Sequence, residues 1–388
     1  MKYVIRKSDK MPVYLDFNAS TPVDETVLQF MNKVYKEHYG NADSRTHSFG
    51  SDAKNILEKS RKTIADILLT DETNIFFTSG ATESNNISIL GLIDYAKQTG
   101  KTHFITSAIE HKSVLEPIKH LETLGFQVDY IQPELDGRID PNKILDRITP
   151  KTALVSIMHV NSETGIIQPV IELGEAIHET GVFFHVDATQ SFGKLNQQLR
   201  NLKYDLLSFS SHKLRGPQGI GGLVIQRRKY DRIPIKPIFY GGSQERGYRP
   251  GTTPVALAAG FSLAAELCDK NIARNAERCS EIKQNFLKAV QGLEYRINGN
   301  QTFCLPSVIN ISFIDVDAEG MFASLKNSYA FSNGSACTSG SYAPSYVLKA
   351  MGLEPRDIAW AVRLSWDYDT IVDFSELTDY IRGQQSIV

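Results

Sequence analysis

Cysteine is scarce in this chain: 4 of 388 residues, at positions 268, 279, 304 and 337. No two of them form a Cys-x-x-Cys pair, so the spacing of a thiolate zinc site is missing and no metal is expected. Cys268 and Cys279 fall in one helical stretch, where a rise of about 1.5 Å per residue separates them by ~16 Å, beyond a disulfide's reach. An excess of one charge is also lacking. The 42 Lys and Arg nearly cancel the 44 Asp and Glu, leaving a formal net charge of -2. No basic block stands out, so no direct grip on nucleic acid is expected. No apolar run approaches the roughly 18 residues of a membrane span. The opening residues MKYVIRKSDKMPVYLDF lack the apolar core of a signal peptide. These absences lead to the expectation of a cytoplasmic protein with reduced thiols, off the membrane.

What is present is ordinary globular material, 41% hydrophobic and 22% charged, long enough for one large or two medium domains. From residue 24 helical and extended patterns alternate. SDAKNILEKSRKTIADILL (51–69) has helical spacing, and NIFFTSG reads as a strand and turn. A helix over ATESNNISILGLIDYAKQTG follows, stopping at Gly100. HFITS, FQVDYI, TALVSIM, VFFHV, DLLSFS and GGLVIQ are short apolar runs typical of strands covered on both faces. Such βα alternation predicts an α/β fold around a mainly parallel sheet. The character changes near residue 254, where a long helical stretch (one helix or two abutting) leads into VINISF, a short helix at 317–327, VRLSW and a last helix. The expected division is a large domain over 14–257 and a smaller α+β domain formed by 1–13 and 258–388.

Several residues carry chemistry at strand ends, where ligands gather in open α/β sheets. Asp187 closes the strand of FHVDATQ. Lys213 follows the strand DLLSFS in SFSSHKLRGPQGIGG. Such a pair suits pyridoxal phosphate, with the lysine holding the cofactor covalently and the carboxylate keeping its pyridine nitrogen protonated. An ion pair at a loop explains the same residues. FFTSGATESNN offers a strand, Gly80 and a helix start at Ala81 and Thr82, where backbone N–H groups bind anions; a plain capping turn is the other reading. Ser210 and His212 flank the lysine and could complete a phosphate cup. His111, opening a helix in IEHKSV, could stack on a planar ring and move protons, or simply cap that helix. Asn161 lies just past another strand. Arg363, within VRLSW, could bind a carboxylate bidentately or serve a structural ion pair. Cys337 sits in FSNGSACTSGSYAPS, amid glycine and serine, where a buried packing cysteine would have apolar neighbours. Such composition suits a thiol that has to travel.

Nine segments occur together and in order: YLDFNASTPVD, FTSGATESNN, EHKSV, MHVNSETG, HVDATQSFGK, SFSSHKLRGPQGIGG, GGSQERGYRPGTTP, SNGSACTS and VRLSW. In them the chain resembles the cysteine desulfurases, class V relatives within the fold-type I pyridoxal-phosphate enzymes, from about Tyr14 to Trp366. The resemblance implies a role for each position. Lys213 holds pyridoxal 5'-phosphate covalently, Asp187 pairs with its ring nitrogen, and His111 stacks on the ring. Gln190 and Asn161 contact the ring oxygen or substrate. Ala81, Thr82, Ser210, Ser211 and His212 hold the phosphate, and Thr252 reaches the phosphate of a neighbouring subunit, which implies a homodimer. Arg363 binds the substrate carboxylate. Cys337 attacks the sulfur of L-cysteine, keeps it as a persulfide while alanine leaves, and passes it to an acceptor protein.

The long segment SNGSACTSGSYAPSYVLKAMG is similar to that of the family's first group, which supplies iron–sulfur assembly and tRNA thiolation. GNADSRTHSFG and YLDFNASTPVD are instead similar to the forms in desulfurases that serve DNA phosphorothioation. Housekeeping members continue past the last helix with a tail that docks the iron–sulfur scaffold; this chain stops at DYIRGQQSIV, so that docking is not carried over from the resemblance. A selenocysteine lyase-type enzyme is the further alternative.

Overall fold

The apolar runs assemble as the core of one sheet. The computed structural model describes residues 11–333 and 344–386. Across the main sheet the strands are Ile75–Thr78, Gly221–Ile225, Leu206–Ser210, Phe183–Asp187, Thr152–Met158, His103–Ser107 and Gln127–Ile131. Gly221–Ile225 pairs antiparallel with both neighbours, and every other pairing is parallel. Only Gly221–Ile225 therefore runs against the rest, and the other six strands bring their carboxyl ends to one edge. Every residue of Thr152–Met158, Phe183–Asp187 and Leu206–Ser210 is buried. That is why these strands read as mostly apolar runs, without the regular alternation of a half-exposed strand. Phe76, Phe104, Ile118, Phe126 and Leu154 join Ile87 and Leu92 in the core on this sheet.

Two elements differ from the sequence pattern. The helical stretch after Gly80 is broken into Ala81–Leu90 and Ile93–Thr99. The Gly91 carbonyl leaves the helical ladder and accepts the Lys236 N–H at 2.9 Å, a long-range bond that local periodicity does not register. Beyond residue 254 a single helix runs Val255–Ala289, 35 residues in all.

Contacts divide the chain into two compact units. The larger takes Ser20–Ser162 and Ile166–Ala273. The smaller takes the described residues up to Ala19, Glu163–Gly165 and the described residues from Arg274. The long helix thus contributes to both, and the division falls within it at Ala273, later than the expected 257. Its early residues Ala256 and Ala259 pack with Val34 and Ala53. From Cys279 onward, Ile282 and Phe286 join Phe313, Trp366 and Phe374 in the core of the smaller unit. That core covers an antiparallel sheet in the order Tyr295–Ile297, Val308–Phe313, Ala361–Ser365. Among the described residues, no helix is long and apolar enough to cross a membrane.

Candidate active site

Five parallel strand ends of the larger unit supply the chemistry. Behind Ile75–Thr78 the chain turns at Ser79 and Gly80 into the helix Ala81–Leu90. Gly80 has φ 156° and ψ 177°, a conformation open essentially to glycine alone. As N-cap it offers no side chain to the first helical turn, so the backbone donors there remain available to an anion. A Cβ built on Gly80 would come within 3.8 Å of Ser210 Oγ, which places that hydroxyl against the same turn. Gly221, on the adjacent strand, lets the turn approach: a Cβ there would stand 2.6 Å from Gly80 Cα and 2.7 Å from the Phe209 carbonyl. Thr78 Oγ1 and Ser84 Oγ lie 2.8 Å apart. Ser84 Oγ also donates to the Gly222 carbonyl at 3.0 Å. Glu83 closes the outside of the turn, accepting from Ser79 N at 2.5 Å and from Arg249 Nε at 3.1 Å.

Asp187 ends the central strand, with both oxygens pinned. Oδ1 accepts from the Thr189 N–H at 2.9 Å and from Thr189 Oγ1 at 2.5 Å. Oδ2 accepts from Asn85 Nδ2 at 2.8 Å. Two residues earlier, His185 lies between Ser156 Oγ at Nδ1 (2.8 Å) and Ser208 Oγ at Nε2 (2.9 Å). Burial pushes this imidazole down to about 4, against some pull from Asp187. His111 is the N-cap of the helix Lys112–Thr123. Its Nδ1 accepts the Ser113 N–H at 3.1 Å and lies 2.8 Å from Ser113 Oγ. Burial lowers its pKa; Lys213 and Lys112 act in the same direction and Asp187 opposes. The neutral ring therefore keeps its proton on Nε2.

Lys213 stands half-buried in the short turn Ser211–Lys213. Its charge reaches both His111 and His212. His212 is lowered to about 4, chiefly by burial, and its carbonyl accepts from Thr21 N at 3.0 Å and Thr21 Oγ1 at 2.9 Å. Ser210 and Ser211 part company here. Ser211 Oγ is buried where it would meet a Gly216 Cβ at 2.1 Å, so its hydroxyl packs against the following loop, while Ser210 faces Gly80. Asn161 and Gln190 are buried, and Asn161 Nδ2 donates to the Ile109 carbonyl at 3.0 Å. Ala81 is half-buried and Thr82 exposed at the helix start, and Thr252 is exposed in the loop before the long helix. In the smaller unit, Arg363 Nη2 donates to Asp16 Oδ1 at 2.5 Å and Ser332 Oγ at 2.9 Å. Cys337 lies outside the described residues.

Asn85, Ser113 and Thr189 were not singled out in the sequence. The available signal was Asn85 itself, a poor helix former among the buried residues of the helix Ala81–Leu90. In sum, the larger unit combines an anion-ready helix start, an anchored buried carboxylate, a neutral imidazole and an amine. That donor set suits pyridoxal phosphate, and the Gly80 turn is a cradle that any side chain would fill.

The aminotransferase class-V family pattern matches residues 13–368, and the chain belongs to that family. It is 41% identical over 357 residues to "Cysteine desulfurase IscS" of Dechloromonas aromatica, covering 92% of this chain and 87% of the relative. Among solved structures, DndA from Streptomyces lividans superposes with a TM-score of 0.80 at 41% identity, over 90% of this chain and 98% of that one. "SspA in complex with cysteine" gives 0.81 at 34% identity, over 92% and 100%. The chain is accordingly a pyridoxal-phosphate-dependent cysteine desulfurase with the fold-type I architecture.

Proposed function

We propose that L-cysteine is desulfurated at the carboxyl edge of the main sheet and that Cys337 carries the sulfur away as a persulfide to an acceptor protein. One observation carries this reading: Asp187, His111, Lys213 and the uncapped Gly80 turn converge on that edge. Ala81, Thr82, Ser210 and His212 would hold the cofactor phosphate, with Ser211 contributing through its backbone. Asp187 would face the pyridine nitrogen, His111 would cover the ring, and Asn161 and Gln190 would flank it. Lys213 would hold the cofactor through Nζ. Thr252 would reach the phosphate of a second copy in a homodimer.

When bound, pyridoxal phosphate is a sink for the electron pair left at the substrate Cα. Lys213 Nζ, once the substrate amine has displaced it, would take the Cα proton. Arg363 binds the substrate carboxylate, and Asp16 and Ser332 fix the plane of its guanidinium by holding Nη2. His111, with its proton on Nε2, would act as a hydrogen-bond donor that stabilises the Cys337 thiolate, since only the thiolate attacks. The attack forms the S–S bond as the substrate's Cβ–S bond breaks; the bonding pair stays with Cβ, which gains a proton, Cα regains the one Lys213 took, and the remainder leaves as alanine.

Two pathways compete for the sulfur. Identity to IscS and to DndA is equal at 41%, so the choice rests on the segments GNADSRTHSFG and YLDFNASTPVD. Those forms support service to DNA phosphorothioation through a protein acceptor in the cytoplasm. The test is release of alanine and sulfide from L-cysteine in the presence of a reductant. Wild type should release both in equal amounts. Cys337→Ser should release neither, and full activity in that variant would sink the role given to Cys337.

A further inference from the structure

We propose that Asn85 is a positioning residue that locks the Asp187 carboxylate and the His111 imidazole into one hydrogen-bonded unit, fixing the orientation of the first and the proton position of the second. The inference rests on the cofactor site argued above. Asn85 is fully buried in the helix Ala81–Leu90. Its amide nitrogen carries two protons, and both are used: one goes to Asp187 Oδ2 and one to Ser113 Oγ, each at 2.8 Å. The amide cannot be turned over, because its oxygen would then face the carboxylate.

Ser113 has a single O–H. Having accepted from Asn85, it directs that proton to His111 Nδ1, 2.8 Å away. Nδ1 also accepts the Ser113 backbone N–H at 3.1 Å. Two donors therefore point at one nitrogen, which leaves no room for a proton there. For His111 to be protonated at Nδ1, the Ser113 hydroxyl must turn its proton away, and because the Asn85 N–H already occupies one side of the oxygen, the proton is left only a position for which Ser113 shows no acceptor among the described residues. The Asp187 carboxylate and the His111 imidazole are thus oriented by one buried amide. The Asn85 carbonyl oxygen, buried with no hydrogen-bond partner, bears the cost of this fixed orientation.

Two substitutions separate the links. Asn85→Ala cuts both; Ser113→Ala cuts only the link to His111. The first readout needs no cofactor: nitrogen NMR of histidine-labelled full-length protein, with His111 assigned through His111→Gln. The charged groups facing His111 are Asp187, Lys213 and Lys112, and both variants retain them. The His111 protonation midpoint should rise in both variants, because Ser113 Oγ is either free to accept or gone. The second readout is pyridoxal-phosphate affinity. It should fall about tenfold or more in Asn85→Ala, as for a lost hydrogen bond to a charged group, and stay near wild type in Ser113→Ala. An unmoved His111 midpoint in both variants overturns the proposal, as does an equal loss of affinity in both. If Asn85→Ala fails to fold, the His111 midpoint in Ser113→Ala still decides. Wild type that takes up no cofactor would defeat the reading of the site instead, and the His111 titration would stand apart from that failure.

Discussion

Replacing Glu245 by Gln should destabilise the larger unit more than any other conservative change on its surface loops. Glu245 and Arg61 form a bidentate pair, 2.8 Å at each contact, with side chains 1% and 4% exposed. Burial would push the Arg61 guanidinium down, but the Glu245 hydrogen bond and charge, with Glu58 behind them, hold it above its ordinary value. Each partner has further duties. Arg61 donates to the Ile75 carbonyl at 2.7 Å, and Glu245 accepts the Phe77 N–H at 2.9 Å. The pair thus clamps the strand that leads to Gly80. Glu245 and Arg246 sit at φ 46° and 55°, strain of about 1–3 kcal/mol each that the clamp must offset. Glu245→Gln keeps the shape but leaves the buried Arg61 charge with only the half-exposed Glu58, 3.3 Å from Nε, which costs up to about 3–5 kcal/mol. For a unit of this size that is a drop in Tm on the order of 10 °C. Urea titration gives the same quantity isothermally, through a lower midpoint at an unchanged slope. The double variant Arg61→Met/Glu245→Met should lose clearly less than the two single changes added together, because no charge is stranded. A Glu245→Gln protein that melts within a degree or so of wild type, or strictly additive single changes, would refute the reasoning.

Further outcomes follow from the same geometry. Glu110, fully buried with Oε1 on Ser107 Oγ and the Met158 N–H, is pushed up to about 8 by burial. Its folded value exceeds its unfolded one, so its contribution is complete below about 4.5 and is lost as pH rises through about 8. Glu110→Gln should flatten that alkaline decline in a Tm-against-pH series. His159 and His185 are held at about 4 by burial, below an ordinary value of about 6.5, so stability should be full above that value and fall as pH drops toward 4; acid titration of the denaturation midpoint checks this. Gly221→Ala drives a methyl into Gly80 and the Phe209 carbonyl and should weaken pyridoxal-phosphate uptake at least tenfold while leaving most secondary structure intact, measured by cofactor absorbance and circular dichroism. Replacing Cys268, Cys279 and Cys304 together should leave persulfide formation on Cys337 unchanged, as read by mass spectrometry.

The main sheet was legible because its central strands are buried on both faces and so are mostly apolar over five to seven residues. The strand-end residues were legible for a related reason: Asp187 and Lys213 are charges set directly against those runs. Positions whose meaning depends on distant partners were not. Asn85 acquires its role from Asp187, 102 residues away. Glu245 acquires its role from Arg61, 184 residues away. Ser210 and Ser211 look equivalent as letters, yet alternation at a strand end sends one hydroxyl toward Gly80 and the other toward Gly216. The break at Gly91 follows from a bond to Lys236 that no local window contains. The division of the long helix is likewise a matter of what its two ends pack against.

The place of Gly221–Ile225 in the sheet has a consequence for how the molecule comes into being. This strand is the last of the seven along the chain, yet it is inserted between Leu206–Ser210 and Ile75–Thr78. Among the described residues, Ile75–Thr78 pairs with no other strand. During synthesis the segment that ends in the Gly80 turn must therefore wait about 140 residues for the strand that fixes it, a long closure of the kind that slows folding. A nascent chain released before Ile225 would have most of the parallel core but no seated Gly80 turn. Cofactor capture should thus come late in biogenesis, and the waiting edge of Leu206–Ser210 is where a chaperone, or an aggregate, would meet the unfinished protein first.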